Sequence, residues 1–261
     1  ANGVVIITTK SGKSGSKGVF DLSSSLSIAT AANTFDLLDR DQFLSGIAQN
    51  GGNASAVDFG GNTDWQQAVL RTSVSQNQNL SYSQNYGSGN VRATFGYGKQ
   101  FGIVENSDLE RITGRINWNQ RFLDDKLILG VQASIARLND QAPPISGSVG
   151  ASGDVLGGAY AANPTWPASQ NFNAGGLNVN PLNVLANTQN LTFTNRYLLN
   201  GSLEYKFTSE ISAKLNAGWD TSDAENTSVI SREVFNINGI TGNGFGVFNS
   251  LDRDNKTFEA T

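Results

Sequence analysis

The residue types that carry most enzyme chemistry are either missing from this sequence or stand at the wrong spacing. The 261 residues contain no Cys, no His and no Met, which excludes a thiol nucleophile, a Cys/His zinc site and a Ser-His-Asp relay. There are 22 Asp and Glu residues, but no pair can be chosen as general acid and base. We therefore expect no catalytic residues, no metal site and no cofactor.

Two short motifs resemble ligand-binding loops and fail on closer inspection. Residues 12–14 (Gly-Lys-Ser) look like the end of a phosphate-binding loop, but Ile7 stands where that motif needs Gly. Residues 252–257 begin like a calcium loop, and then Lys and Thr break the ligand spacing. The net charge of −4 also argues against a nucleic-acid partner, which would normally meet a basic surface.

Alternation of apolar and polar residues is the strongest pattern in the chain, and it indicates β-strands. Many of these runs reach ten residues or more, about the length that a tilted strand needs to cross a bilayer. One face would then meet lipid and the polar face a wet lumen, although a soluble sheet would also expose a polar face. The predicted strands are 20–28, 80–86, 91–101, 111–122, 127–136, 191–207 and 211–219, with an eighth starting near Arg253.

The connections between these strands alternate between short and long. Short turns are predicted around 87–90, 123–125 and 208–210, whereas the other links are roughly 31–73, 104–108, 139–190 and 221–252. Short turns at one end and long loops at the other are typical of outer-membrane barrels. All five Pro residues fall within 139–190, outside the strands, as the loss of a backbone donor requires. The predicted fold class is all-β, a partial antiparallel transmembrane β-barrel of about seven or eight strands.

Two short helices are predicted in the first long loop. Residues 39–42 resemble a capping box, and Thr63 and Gln66 have the same spacing ahead of a second apolar run. The helices could simply pack the loop against the barrel mouth. Alternatively, Trp65 and Trp166 could present flat ring faces to a ligand, sugars included.

The N-terminus and several scattered motifs resemble one known family. Residues 4–7 form a continuous apolar run that predicts a strand buried on both faces, and a Lys/Gly/Ser linker follows it. The run 1–12 is similar to the end of the plug domain of TonB-dependent outer-membrane receptors, especially the SusC/RagA branch found in Bacteroidetes. Further similar motifs are 63–66 (TDWQ), 102–108 (GIVENSD), 122–127 (FLDDKL), 163–167 (NPTWP), 180–182 (NPL) and 218–220 (GWD).

The resemblance implies a plugged barrel of about 22 strands in the bacterial outer membrane. Such a receptor imports oligosaccharides or peptides with energy relayed by TonB, and it pairs with a SusD-like surface lipoprotein. Residues 1–12 would be the last plug strand, 13–17 a linker and 18–261 the N-terminal part of the barrel. Because no initiating Met is present, we expect a piece of a longer receptor that acts as a conduit, not an enzyme.

The polar strand faces supply candidate lumen residues, which in such a receptor would more often pair with plug carboxylates or water than with cargo. They are Arg92, Arg111, Arg115, Arg196 and Lys206. Two alternatives stay open at this point. One is a self-contained small outer-membrane barrel with a structural or adhesion role, and the other is a soluble β-sandwich binding module.

Overall fold

The computed structural model describes residues 17–145, 154–175, 179–234 and 243–261. Its main element is one antiparallel sheet of eight strands, in which each strand pairs with the next in sequence. The strands are β1 Val19–Ala29, β2 Ser73–Asn85, β3 Gly89–Phe101, β4 Asp108–Phe122, β5 Leu127–Gln141, β6 Thr188–Lys206, β7 Ser212–Ile230 and β8 Phe245–Ala260. The predicted plug strand 1–12 lies outside the described residues.

The seven predicted strands are confirmed, but the last hairpin is much longer than the sequence pattern indicated. β7 continues to Ile230 and β8 begins at Phe245, so the predicted loop 221–252 is wrong and the connection spans 231–244. The reason is that both faces of β7 are polar beyond Trp219, with Ser222 on one face and Asp223 on the other. Alternation disappears there although the backbone pairing continues.

The alternation of short and long connections is confirmed. The turns 86–88, 123–126 and 207–211 lie at one end of the sheet, which we call the short-turn end. The connections 30–72, 102–107, 142–187 and 231–244 lie at the other, the long-loop end.

The two faces of the sheet differ sharply in chemistry. Residues directly opposite in an antiparallel pair share a face, so one face carries Phe95, Ile116, Ala133 and Leu199. Its large apolar side chains are unusually open to the surroundings, with Leu22 at 75% exposure. Such an exposed apolar sheet face needs a covering partner.

The apolar side chains form a band whose edge runs obliquely across the strands. In β3 the band ends at Tyr97, beyond which Lys99 pairs with Asp108. In β7 the band ends at Trp219. The cross-strand pairs that run from Trp219 back through β6, β5 and β4 reach β3 at Ala93. The cross-strand pairs that start at Tyr97 and run toward β7 become polar at β5. They pass through Arg137 in β5, Asn195 in β6 and Asp223 in β7.

This oblique edge shows that the strands are staggered by about one residue per strand relative to the apolar band, a geometry that barrel strands need because they tilt against the barrel axis. The short-turn end steps in the same direction. The pair Gly89 and Gln120 is the last in the β3–β4 ladder, whereas β4 and β5 continue to Phe122 and Leu127.

The polar face is the crowded one. A Cβ atom at Gly130 would lie 2.4 Å from Ser202 Oγ, and one at Gly218 would lie 2.5 Å from Thr257 Oγ1. On the apolar face, a Cβ atom at Gly201 would meet nothing within 4 Å. Side chains crowd on the inner side of a curved sheet, so the polar face is the inner face.

Aromatic side chains cluster at the short-turn end. Phe20 packs on Tyr82 at 4.8 Å between ring centroids, and the indole N–H of Trp118 donates to the hydroxyl of Tyr86 at 2.8 Å. At the other edge of the band the boundary aromatics are Tyr97, Tyr197 and Trp219. Phe101 and Phe193 lie beyond the band among polar residues, because the strands extend past it.

The described parts of the long loops contain four short α-helices: α1 Arg40–Gln49, α2 Trp65–Val69, α3 Val155–Ala161 and α4 Pro181–Asn187. The predicted capping box of α1 is confirmed, since Asp39 and Gln42 exchange hydrogen bonds. The predicted Thr63 cap of α2 is wrong, because Asp64 is the N-cap and the Thr63 hydroxyl donates to Trp166 O at 2.6 Å. None of the helices in the described ranges has the length and apolarity to cross a membrane.

Candidate functional site

The candidate site is built from connections at the long-loop end, which we call the loop assembly: residues 31–72, 102–107 and the described parts of 142–187. It contains almost all of the buried apolar core of the described chain, including Trp65, Val69, Val155, Trp166 and Val184. The sheet contributes little to this core because its own apolar face is exposed. The loops therefore form a small packed unit of their own at one end of the sheet.

The motif 163–167 binds the segment that leads into the motif 63–66. The Asn163 side-chain amide donates to Val57 O at 2.9 Å, and the Thr165 hydroxyl donates to the same oxygen at 2.7 Å. The Gly61 N–H donates in turn to Thr165 O at 2.7 Å. Through these hydrogen bonds, the run 163–167 positions the segment that leads into α2.

Gly61 is required for this close approach. A Cβ atom at Gly61 would lie 2.4 Å from the carbonyl carbon and oxygen of Trp166. Those are backbone atoms of a segment held by several hydrogen bonds, so they cannot move aside without loss of the contact.

The two candidate ligand-binding tryptophans are core residues of the loop assembly. Trp65 and Trp166 are 3% and 4% exposed, and their rings meet edge to face with centroids 6.2 Å apart. The Trp65 indole N–H donates to Asn163 O at 2.9 Å. This geometry supports the packing alternative, because neither ring offers an open face for stacking. Ligand contact stays a prediction for both residues, which also line a cavity.

A third motif, the connection 102–107, is fastened by Arg71. Its guanidinium donates to Gly102 O at 3.0 Å and Ser107 O at 2.8 Å, and it forms an ion pair with Glu105 at 3.2 Å. At the tip of the turn, Asn106 donates to Leu185 O at 2.8 Å. The turn therefore links the end of the first long loop to α4.

The motif 180–182 lies at the start of α4, and its first residue also binds the backbone of the preceding segment. Asn180 caps the helix, and its amide also donates to Ser169 O and Phe172 O at 2.8 Å each. One turn later, the amide of Asn183 reaches Gln170 O and Glu233 O. These buried amides satisfy backbone carbonyls that helix and sheet leave unpaired.

An ion pair stabilises the outer part of the first loop. Arg40, at the start of α1, contacts Asp58 at 2.6 Å. The hydrogen bond from the Gly60 N–H lowers the pKa of Asp58 below its usual value, and the hydrogen bond from Arg40 lowers it further by a smaller amount. The Asp58 carboxylate is therefore charged at neutral pH.

Beside this packed unit lies a cavity of about 680 Å³. Its lining includes Trp65 and Trp166 together with Phe35, Tyr160 and Asp36. Sequence reasoning did not single out Phe35 and Asp36, since they stand in an irregular segment with no periodicity, or Tyr160, which lies in α3. The buried Gln66, which holds the backbone of Phe35 through bonds of 2.8 and 2.7 Å, is the element that positions this segment.

The five candidate lumen residues share the polar face of the sheet, but the structure does not gather them into one site. Each has a polar or small partner opposite in register, such as Asn117 for Arg92 and Ser134 for Arg115. Arg196 forms a bidentate pair with Asp220 at 2.9 and 2.7 Å. Arg111 and Lys206 lie toward opposite ends of the face. Lumen contact stays a prediction for all five.

The described residues contain no group of three or more acidic side chains arranged to hold a metal ion. They also form one open sheet, not two packed sheets, so the β-sandwich alternative is wrong for this part of the chain. A small closed barrel is not formed either, since β1 and β8 are the two unpaired edges of the described sheet.

Fold and loops together define a section of a barrel whose long loops fold into a separate packed unit, and comparisons with known proteins identify the type. No family model matches the chain. The chain is 31% identical over 172 residues to the TonB-dependent receptor SusC of Bacteroides thetaiotaomicron, covering 66% of this chain. It is 33% identical over 168 residues to the TonB-dependent receptor P3 of Formosa agariphila, covering 63% of this chain.

Solved structures show the same fold. The RagAB peptide importer in its open-open state aligns over 96% of this chain with a TM-score of 0.79 at 18% identity, and its closed-closed state aligns with a TM-score of 0.76. The chain spans 16% of the length of the curated relatives and about a third of the RagAB chains. The resemblance to SusC/RagA-type TonB-dependent receptors and the partial-barrel fold are thus confirmed.

Proposed function

We propose that this chain is part of a receptor for TonB-dependent import of oligosaccharides or peptides across the bacterial outer membrane. The observation that carries the proposal is the joint likeness to SusC in sequence and to the RagAB importer in fold. In this role the loop assembly stands at the cell surface, and a SusD-like lipoprotein covers the barrel mouth. Both sequence relatives are named as receptors and the solved structures as importers, which favours a conduit over an enzyme.

The distribution of apolar residues supports a place in the membrane. In β6 the outward side chains are apolar from Tyr197 to Tyr205, about nine residues, close to what a tilted strand needs to cross the hydrocarbon core. Beyond Tyr197 the same face turns polar at Asn195. The strands would then project past the bilayer and carry the loop assembly above it.

The division of the chain and the roles of its charged residues belong to the same proposal. Residues 1–12 would be the last plug strand, 13–17 a linker and 18–261 barrel. Arg92, Arg111, Arg115, Arg196 and Lys206 would line the lumen against the plug and water. The energy for uptake would reach the barrel from TonB through the plug.

Deletion of the complete receptor gene tests this function in the source bacterium. We expect loss of growth on at least one polysaccharide or protein digest, and the same loss when TonB is removed instead, because import needs energy from the inner membrane. Complementation with the intact gene serves as the control. Unchanged growth of the deletion strain on all such nutrients, or release of the receptor from membranes by salt alone, would contradict the proposal.

A further inference from the structure

A depression interrupts the apolar face of the sheet, and we call it the outer groove. It has a volume of about 550 Å³ and extends across the strands from β1 to β7. The surface is uneven here because small residues alternate with large ones on three neighbouring strands: Ala93 with Phe95, Gly114 with Ile116, and Ala133 with Ile135. The groove is therefore a built feature of the strand sequences.

The outer groove lies in the part of the apolar band next to the long loops. In β6 it includes Tyr197 and Leu199, the first two outward residues of a band that continues to Tyr205. In β7 it includes Trp219, where the band ends. Because the long-loop end is the one that we place at the cell surface, the groove faces the outer leaflet of the membrane.

The groove has room for an added group. Ile116 and Ile135 on its walls are 50% and 47% exposed, and a Cβ atom at Gly114 would meet one atom of the described chain within 4 Å, the Cγ2 of Ile135 at 3.1 Å. Between apolar surfaces inside a bilayer, van der Waals packing is what favours association. An acyl chain in the groove gains contacts on more sides than one on a flat strand face.

A cation stands at the rim of the groove. Arg137 follows Ile135 on the same face of β5, about 7 Å further along the strand, and its side chain is exposed. It has no ion pair or hydrogen bond with any other described residue. From β2 to β6 it is the one charged residue of its cross-strand row, which consists of Gln78, Tyr97, Ile112, Arg137 and Asn195. A guanidinium in this place suits a phosphate, to which it can donate two parallel hydrogen bonds.

The other outward charges near this rim are engaged elsewhere or lie further away. Lys99 pairs with Asp108, and Asp223 accepts a hydrogen bond from Asn195 at 2.8 Å. Glu110 lies one row further from the band, opposite Lys99. None of these side chains therefore lies between Arg137 and the groove.

From these observations we propose that the outer groove binds a phosphorylated, multiply acylated glycolipid of the outer leaflet, lipopolysaccharide. One acyl chain lies against Gly114 and Ala133, and a lipid A phosphate lies on Arg137. The hydroxyl groups of Tyr97 and Tyr197 flank the head group as further donors. The inference goes beyond import and rests on the orientation of the receptor in the proposed function.

The test titrates the full-length receptor, delipidated in detergent, with diphosphoryl lipid A, while native mass spectrometry measures the bound lipid. We expect Arg137→Gln to weaken binding by about fivefold, the effect of one cation near an anionic lipid surface. Gly114→Leu should weaken it by at least about threefold, because the groove is filled. Lipid A stripped of its phosphates should bind about fivefold more weakly and should not distinguish the Arg137 variant from the unaltered receptor.

Two matched controls make the same substitutions outside the groove. Gly201→Leu lies on the same apolar face, where a Cβ atom meets nothing within 4 Å, and Lys126→Gln removes an exposed cation at the short-turn end. Each should change binding by less than about twofold. Equal effects of the two Leu variants, or of the two Gln variants, would overturn the inference. The arm with dephosphorylated lipid keeps the test valid if a variant fails to fold.

Phosphatidylglycerol distinguishes the two possible sources of an acylated phosphate. We expect it to compete poorly with diphosphoryl lipid A, and equal competition would mean that the groove accepts any anionic lipid, which contradicts the assignment to lipopolysaccharide. Growth of the deletion strain is measured without added lipid. A receptor that supports growth but binds lipid A no better through the groove than elsewhere would overturn this inference alone and leave the import function standing.

Discussion

Replacement of Trp65 by Ala is expected to open the loop assembly while leaving the sheet intact. Trp65 is 3% exposed, packs against Trp166 and donates a hydrogen bond to Asn163 O. Removal of such a side chain from a packed core costs about 3–5 kcal/mol, because apolar contacts are lost and a cavity remains. The described parts of these loops contain no second core to compensate, so local unfolding should become about a hundredfold more frequent or more.

Limited proteolysis of the full-length receptor measures this opening. Cleavage that depends on transient opening follows the population of the open form, so the loops of the variant should be cut about a hundred times faster. Gln67→Ala on the same helix is the control, since that side chain is exposed and should change the rate little. Equal cleavage of the Trp65 variant and the control would show that the loops are held by something other than this core.

The second large effect concerns the two faces of β6. Leu199 lies on the apolar face between Ala133 and Trp219, whereas Leu198 lies on the polar face between Ser134 and Asp220. An Arg on the lipid face of a barrel costs about 2–4 kcal/mol near the bilayer midplane and less toward the interfaces. Leu199→Arg should therefore lower the free energy of unfolding by roughly this amount.

Leu198→Arg is the matched control, because it makes the same substitution one residue away. Its guanidinium would lie on the polar face in water, beside the ion pair of Arg196 and Asp220, and we expect a change of less than about 1 kcal/mol, as for exposed charges. Urea titration of both variants in lipid vesicles gives the comparison. Equal destabilisation, or the larger effect at position 198, would mean that the faces are assigned the wrong way round.

The strands from β1 to β6 could be predicted from sequence because their two faces differ in polarity within the apolar band. Beyond that band, both faces meet polar surroundings, and alternation carries no information. The upper half of β7 shows this, with Ser222 and Asp223 on opposite faces. The length of a strand was therefore predicted well where lipid would impose alternation of apolar and polar residues, and poorly beyond the lipid.

The loop assembly was harder to predict because its residues hold one another across long sequence distances. Thr63 has the spacing of a helix cap, but its hydroxyl reaches Trp166 O, 103 residues away. A local motif cannot reveal such a competing partner. Two motifs that carried the family resemblance, 63–66 and 163–167, nevertheless proved to contact each other, as the hydrogen bonds from Thr63 to Trp166 O and from Trp65 to Asn163 O show.

The central claim is that these strands form a barrel wall with lipid on the apolar face and an aqueous lumen on the polar face. The chain has no Cys, so single cysteines can be placed at positions 197–205 of β6 once any cysteines elsewhere in the receptor are removed. Spin labels at these nine positions, in the receptor reconstituted into lipid, report accessibility to oxygen and to a water-soluble nickel chelate. The account predicts oxygen maxima at the odd positions and nickel maxima at the even ones; a profile without this alternation, or with it reversed, would contradict it.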